Sequence, residues 1–385
     1  MNPDAGGLNQ TLYNVLSFLD PENFLCVTLD NAIKYVPPSE PFTNRYITYH
    51  FEIIPVTRNR FSKYFNPLID WFNFSYNEKF RKFKKIRKRV AEFKPDIVIS
   101  CPNGVIGLFM HHKIVENMNF NKVIPYFMDD WVSQSKLTWL GGNIHQSVKG
   151  LLNNKSWLMI SEELAIIFQE RYKIIPQHLL IVHNPVDLSD APAKIPLTNK
   201  QNYIFAYAGS LWDMHYDSFY ALSKGIAQLN NTFTIKSICY TAPYFWELRK
   251  DELEKAGVVF GGRIAYKDIH QVLSQADILL LSSSFSEEWI THSKSSVQTK
   301  ITDYLKAGRL IVSCGPAYSA NHAFIKKHNC GVCIETTDPI AIKEEIKKIL
   351  ENFEDYQHLV DNGWHLLEKD FAFDKVHKKL IDFLN

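Results

Sequence analysis

The sequence predicts an α/β protein of two domains facing a central cleft, each a parallel sheet doubly wound by helices. Three observations carry that prediction. At 385 residues the chain exceeds the size at which one hydrophobic core keeps growing. Short apolar runs rich in β-branched and aromatic residues alternate with longer segments of helical period. The alternation then restarts after an aperiodic stretch with three prolines, NPVDLSDAPAKIPLTNKQN at 184–202.

In the first half, strands are expected at FLCVTL (24–29), DIVISC (96–101), KVIPYFM (122–128), WLMIS (157–161) and LLIVH (179–183). Runs this apolar suit strands covered on both faces. Helical spacing fills the gaps at 8–19, 77–93 and 162–171. After the proline-rich stretch, YIFAYAG, FTIKSIC, VVFGG, DILLLSSS and RLIVSCG repeat the pattern. The expected domains are therefore 1–183 and 184–368. Binding sites in such sheets gather at the carboxyl ends of the strands. Unusual residues collect there: SLWDMHYDS follows YIFAYAG, DDWVSQS follows VIPYFM, and FSEEWITHSKSSVQTKITDYLKAG follows DILLLSSS.

Composition narrows the function classes. The 43 basic and 41 acidic residues nearly cancel to a net charge of +2, so any charge argument is local. The six cysteines are scattered and mostly lie in apolar runs, the usage of reduced, buried thiols. Cys330 and Cys333 form a lone CxxC without a second pair at zinc-site spacing, and no bound metal or other cofactor is expected. No apolar run approaches the roughly 20 residues that span a bilayer. The N-terminus lacks the basic-then-apolar pattern of a signal peptide, so a cytoplasmic location is expected.

The most informative segment is SVQTKITDYLKAGRLIVSCGP. Gln298 and Thr299 lead into a helix carrying Lys300, Asp303 and Tyr304, closed by Gly308 ahead of a strand. A helix start offers unpaired N–H groups and the positive end of the macrodipole, which suits a phosphate. Lys300 and Asp303, three apart, share a face, and a solvated ion pair between them is the plain alternative. Histidines such as His111 and His112, in a helical run, read as structural, and His183 with Asn184 as shaping the junction between domains.

The pattern xTKIxDYLxAGRxIVxxGP resembles the nucleotide-sugar-binding motif of GT-B glycosyltransferases, in particular the retaining glycogen-synthase-like group often called family 4. GVVFGGRIAYKDIHQVLSQADILLLSSS, YAGSLW and VHNPVD are similar to further segments of that family, so the likeness covers most of the second half. The first half is matched through PDAGG and DDW. The resemblance implies two Rossmann-like domains, with the closing helix 369–385 crossing back to the first. It implies transfer of a sugar from a nucleotide-sugar to a glycan or lipid-linked acceptor, with retention, in surface polysaccharide synthesis. Asp303 would hold the ribose. Lys300 and the backbone around Gln298 and Thr299 would hold the diphosphate, with Arg263 as a further cation. Gly209 and Ser210 let the donor approach a strand end, and Tyr304 belongs to the same donor-binding set.

Departures from the family pattern shape the remaining expectations. The family's first acidic residue, eight positions before Asp303, is Ser295 here, which leaves Glu287 and Glu288 nearby as catalytic candidates. Where relatives carry a basic pair, this chain has His215 as the one cation in GSLWDMHYDS. Asp129 and Asp130 stand where the family lines the acceptor side, and helix capping is their plain reading. A nucleotide-sugar-binding scaffold without activity and a GT-B epimerase are the alternatives. Gly6 and Gly7 resemble the glycine loop after the first strand of the first domain; the strand that normally precedes it has no counterpart, so an internal start is expected.

One feature lies outside that motif. In NEKFRKFKKIRKRVAEF, eight basic residues from Lys79 to Arg89 surround a stripe of Phe80, Phe83, Ile86, Val90 and Phe93, after an aromatic stretch at 60–76. Such a helix suits an anionic membrane face, or a solvated surface with its stripe packed on the sheet. Nucleic acid is not expected, because no second basic stripe accompanies it.

Overall fold

The computed structural model describes residues 6–29, 46–49, 65, 68, 69, 72, 81–116, 118, 120–132 and 141–385. Most of the aromatic stretch at 60–76, Lys79, Phe80, and the side chains of residues 81–85 lie outside this set. The chain divides into two units, one of Leu16–Val182 with Leu380–Asn385, the other of Gly6–Val15 with His183–Lys379.

In the first unit, β1 (Cys26–Leu29) and β2 (Tyr46–Tyr49) form a parallel pair. Then β3 (Ile97–Ser100), β4 (Lys122–Phe127), β5 (Ser156–Met159) and β6 (His178–Ile181) form a parallel sheet in chain order. Tyr126, Phe127, Trp157, Leu158 and Met159 are buried along its middle strands. The helix Glu162–Tyr172 starts because the Ser161 hydroxyl accepts from Leu164 N, and stops at Lys173 in a left-handed conformation. Its Phe168 packs edge-on against Phe127 at 5.0 Å between ring centroids.

In the second unit, β7 (Asn202–Ala208), β8 (Thr234–Tyr240), β9 (Val258–Gly262), β10 (Ile278–Ser282), β11 (Leu310–Cys314) and β12 (Val332–Ile334) form one parallel sheet ordered β12-β11-β10-β7-β8-β9. This is the doubly wound order, and it reverses between β7 and β10. Period-two alternation explains how the strands bury both faces. Phe205, Leu280 and Val312 join one apolar cluster with Leu222 and Ile346, whereas their neighbours Ala206, Leu279 and Ile311 join another with Ile301 and Leu305.

The closing segment differs in detail from the expected crossing helix 369–385. Val186 N donates to Phe371 O and Phe373 N to Val186 O, an isolated parallel bridge inside the second unit. Of the helix Phe373–Leu384, only the end at Leu380 and beyond counts with the first unit, where Lys122 Nζ donates to the carbonyls of Phe383 and Leu384. The glycine loop also differs from expectation: Gly6–Val15 counts with the second unit.

Candidate functional site

The site is built at the carboxyl ends of β7 and β10. These strands pair only at Ile278 with Phe205 and Leu279 with Ala206, then part. The Tyr304 hydroxyl sits in the gap, accepting from Ala208 N at 2.8 Å and donating toward Leu280 O at 3.2 Å. Tyr304 is fully buried, and its hydroxyl braces the opening of the crevice from behind. β7 ends in Gly209, with φ at +130° and its N–H donating to Tyr240 O. A side chain there would be strained and would also meet Lys300 Nζ at 3.0 Å. Ser210, next along, is exposed, and its carbonyl accepts from Tyr207 Oη.

Lys300 opens the helix Lys300–Ala307, which Gly308 ends with φ at +64°. Its ammonium lies 3.7 Å from the centroid of the Tyr207 ring, is buried, and has no hydrogen-bond partner among the described residues. Burial lowers its pKa from 10.5 to about 7. The ion pair between Lys300 and Asp303 allowed by their spacing does not form. Around the helix start, Gln298 N donates to Asn321 Oδ1, and Gln298 Nε2 donates to Ser282 O.

His215, the one possible cation of GSLWDMHYDS, is buried. Its Nδ1 lies 3.0 Å from Ser282 O, and burial holds its pKa well below the usual value, assisted by the charges of Lys300 and His292. A buried imidazole of that kind stays neutral at pH 7.

Asp303 is 2% exposed. Gln10 Nε2 donates to its Oδ2 at 2.9 Å and to its Oδ1 at 3.2 Å, and His270 Nε2 donates to Oδ1 at 3.1 Å. Gln10 arrives on the helix Gly7–Leu16, whose residues 7, 10 and 14 share one face. Gly7 allows the close approach, since a Cβ there would stand 2.5 Å from Thr299 Oγ1. Asn14 Nδ2 donates to Asn184 Oδ1 and Pro185 O, Tyr266 Oη donates to Asn14 Oδ1, and His377 Nε2 lies 2.8 Å from Asn14 O. Gln10, Asn14, Tyr266 and His270 were missed in the sequence. Gly7, Gln10 and Asn14 at helical spacing, a glycine and two amides on one face, were the signal that could have found the first two.

Other expected residues stand apart from this cluster. Arg263 is exposed just past β9. Glu287 and Glu288 are exposed on the single turn Glu287–Trp289. Ser295 is fully buried, with its Oγ directed to His292 O of its own short helix. In the first unit Asp130, expected with Asp129 as a catalytic candidate on the acceptor side, is 1% exposed and accepts two bonds of 2.7 and 2.6 Å from Arg171. Asp129 beside it is half-buried. Cys330 and Cys333 join no metal-binding group: among the described residues no cluster of His, Cys, Asp or Glu could hold a metal ion.

Residues 202–352 match the family described as Glycosyl transferases group 1. Among solved structures, the chain is similar to Anabaena HepE in complex with UDP and glucose, at 12% identity over 98% of this chain and 96% of that one, with a TM-score of 0.69. It is similar to a glycosyltransferase from Rickettsia africae, at 13% identity over 98% and 94%, with a TM-score of 0.65. It is also similar to WaaG, a glycosyltransferase involved in lipopolysaccharide biosynthesis, at 14% identity over 98% and 96%, with a TM-score of 0.60. No curated protein matches the chain by sequence. With its Rossmann-like parallel-sheet units and its likeness to these structures, the chain has the GT-B fold, and the Glycosyl transferases group 1 match lies within its second unit.

Proposed function

We propose that the chain transfers a sugar from a uridine-diphosphate sugar to a glycan or lipid-linked acceptor, with retention, during assembly of a surface polysaccharide. The observation that carries the donor half is Lys300. A buried ammonium without an oxygen partner is costly, and an anion beside Gly209 would relieve that cost. The start of the helix Lys300–Ala307, at Thr299, adds a favourable dipole at the same point, while the Gln298 N–H is already given to Asn321 Oδ1. The donor diphosphate sits there, with Arg263 as a second cation, and the ribose hydroxyls go to Asp303. The UDP complex of HepE supports the choice of base, and the stated role of WaaG supports the polysaccharide setting.

Stabilising charge on the departing diphosphate is the main work this set of residues can do. Asp129, Glu287 and Glu288 are the acids left to face acceptor or sugar. The protein works in the cytoplasm at the inner membrane face, docked by the basic helix Arg81–Phe93. In that helix Ile86 and Val90 are buried, while Lys88 and Arg89 are exposed.

Turnover of a nucleotide-sugar panel, followed by mass spectrometry, tests the donor site. Loss of a charge-assisted bond predicts that Lys300→Met and Asp303→Ala each lower kcat/KM by about 10- to 100-fold. A Lys300→Met enzyme with the wild-type rate on the preferred donor would remove the diphosphate assignment.

A further inference from the structure

Resting on the reading that Asp303 holds ribose, the geometry around that carboxylate has an awkward feature. A group that lies 2.9 and 3.2 Å from its two oxygens stands in front of the carboxylate, on the face a vicinal diol needs to chelate it. Gln10 Nε2 is that group. His270 Nε2 takes a further lone pair on Oδ1, and the carboxylate is 2% exposed. No diol can reach Asp303 while the carboxamide stays where it is.

We infer that Gln10 competes with the donor's ribose for Asp303, so that the nucleotide binds by turning the carboxamide aside and Gln10 sets donor affinity. The helix backbone stays in place during this exchange. It is anchored on one side by the close contact of Gly7 with Thr299, and on the other by the bonds of Asn14 to Asn184, Pro185 and Tyr266. Gln10 lies between these anchors on the same face, and its side chain is half-buried, so rotation about its own bonds brings the amide to water. The displaced amide exchanges a carboxylate partner for solvent, while Asp303 exchanges one pair of donors for another. The binding-competent state is then a minority of the free protein, and observed affinity falls by that fraction.

Calorimetric titration of the full chain decides the matter. UDP, GDP and ADP are each titrated, and the one that binds tightest serves as the probe, with inorganic pyrophosphate as a probe without ribose. Gln10→Ala is expected to tighten nucleotide binding about tenfold, the worth of one to two competing hydrogen bonds, and to leave pyrophosphate unchanged. Gln10→Asn, one methylene too short to bridge both oxygens, gives the same direction and serves if the alanine variant does not fold. Weaker or unaltered nucleotide binding in the folded variant overturns the proposal, as does an equal gain for pyrophosphate. Asp303→Asn separates the layers. If it leaves nucleotide affinity intact, or if the wild type binds none of the three diphosphates, the ribose reading itself is wrong. If Asp303→Asn weakens binding and the Gln10 variants do not strengthen it, only the competition fails.

Discussion

Lys300 holds its ammonium over the Tyr207 ring, and burial brings its pKa to about 7, against 10.5 for an exposed lysine. Between those two values the unfolded chain binds a proton that the folded chain does not. Stability of the free protein therefore rises with pH across that window, with the penalty fully present below pH 7. A bound diphosphate favours the ammonium and draws that proton back, so nucleotide affinity falls as pH climbs above 7, by up to tenfold per unit. Titration of a nucleoside diphosphate from pH 6.5 to 9 should show that slope in the wild type and a flatter profile in Lys300→Met; equal slopes would assign the proton elsewhere. At this scale the sequence was half-legible. The TK-DYL spacing marked Lys300, Asp303 and the helix start, because those residues lie on one short helix. It could not show that Asp303 is covered by residue 10, 293 positions away in the chain. Nor could it separate Asp130 from Asp129, since only the buried bidentate grip of Arg171 distinguishes them.

At the scale of elements, the parting of β7 and β10 turns a continuous sheet into a site, and Tyr304 closes the exposed ladder groups behind it. Removing its hydroxyl leaves Ala208 N without its partner in a buried position. Tyr304→Phe should lower stability by about 1–3 kcal/mol, read as a shift in the urea midpoint; an unchanged midpoint would mean that water or the backbone makes good the loss. Among the described residues, ten of the twelve strands were legible because each is a compact apolar run between helical stretches. The two missed ones differ in kind. β12 is three residues, Val332–Ile334, inside a stretch that drew attention for its cysteines. β2, Tyr46–Tyr49, is four residues, and its sequence signal was there to be read: Ile47, Tyr49, Phe51 and Ile53 alternate with Thr48, His50 and Glu52. The basic helix was expected from residue 77; its described portion is Arg81–Phe93, and residues 77–80 lie outside the described residues.

At the scale of the molecule, a net charge of +2 conceals the basic helix, whose Lys88 and Arg89 are exposed and whose Glu92 stands within 3.8 Å of both. Exposed pairs of this kind hold the charges only weakly. Flotation with anionic vesicles should recover the wild-type chain and lose the variant with Lys84, Lys85, Arg87 and Lys88 changed to Glu; equal recovery would leave the helix an ordinary solvated surface. Gly6–Val15 counts with the second unit, an allocation that nothing local in the sequence marks, since nothing local says which sheet a polar-faced helix will serve. The bridge between Val186 and Ala372 brings the inbound and outbound chain of the second unit side by side. Geometrically this makes the six-stranded sheet easy to exchange as a cassette between related chains. Such a cassette would leave behind the helix that carries Gln10, so each recombinant would combine one parent's Asp303 with the other parent's cover for it. On the proposed reading of that pair, donor affinity would change by shuffling whole segments, with no substitution at the carboxylate itself.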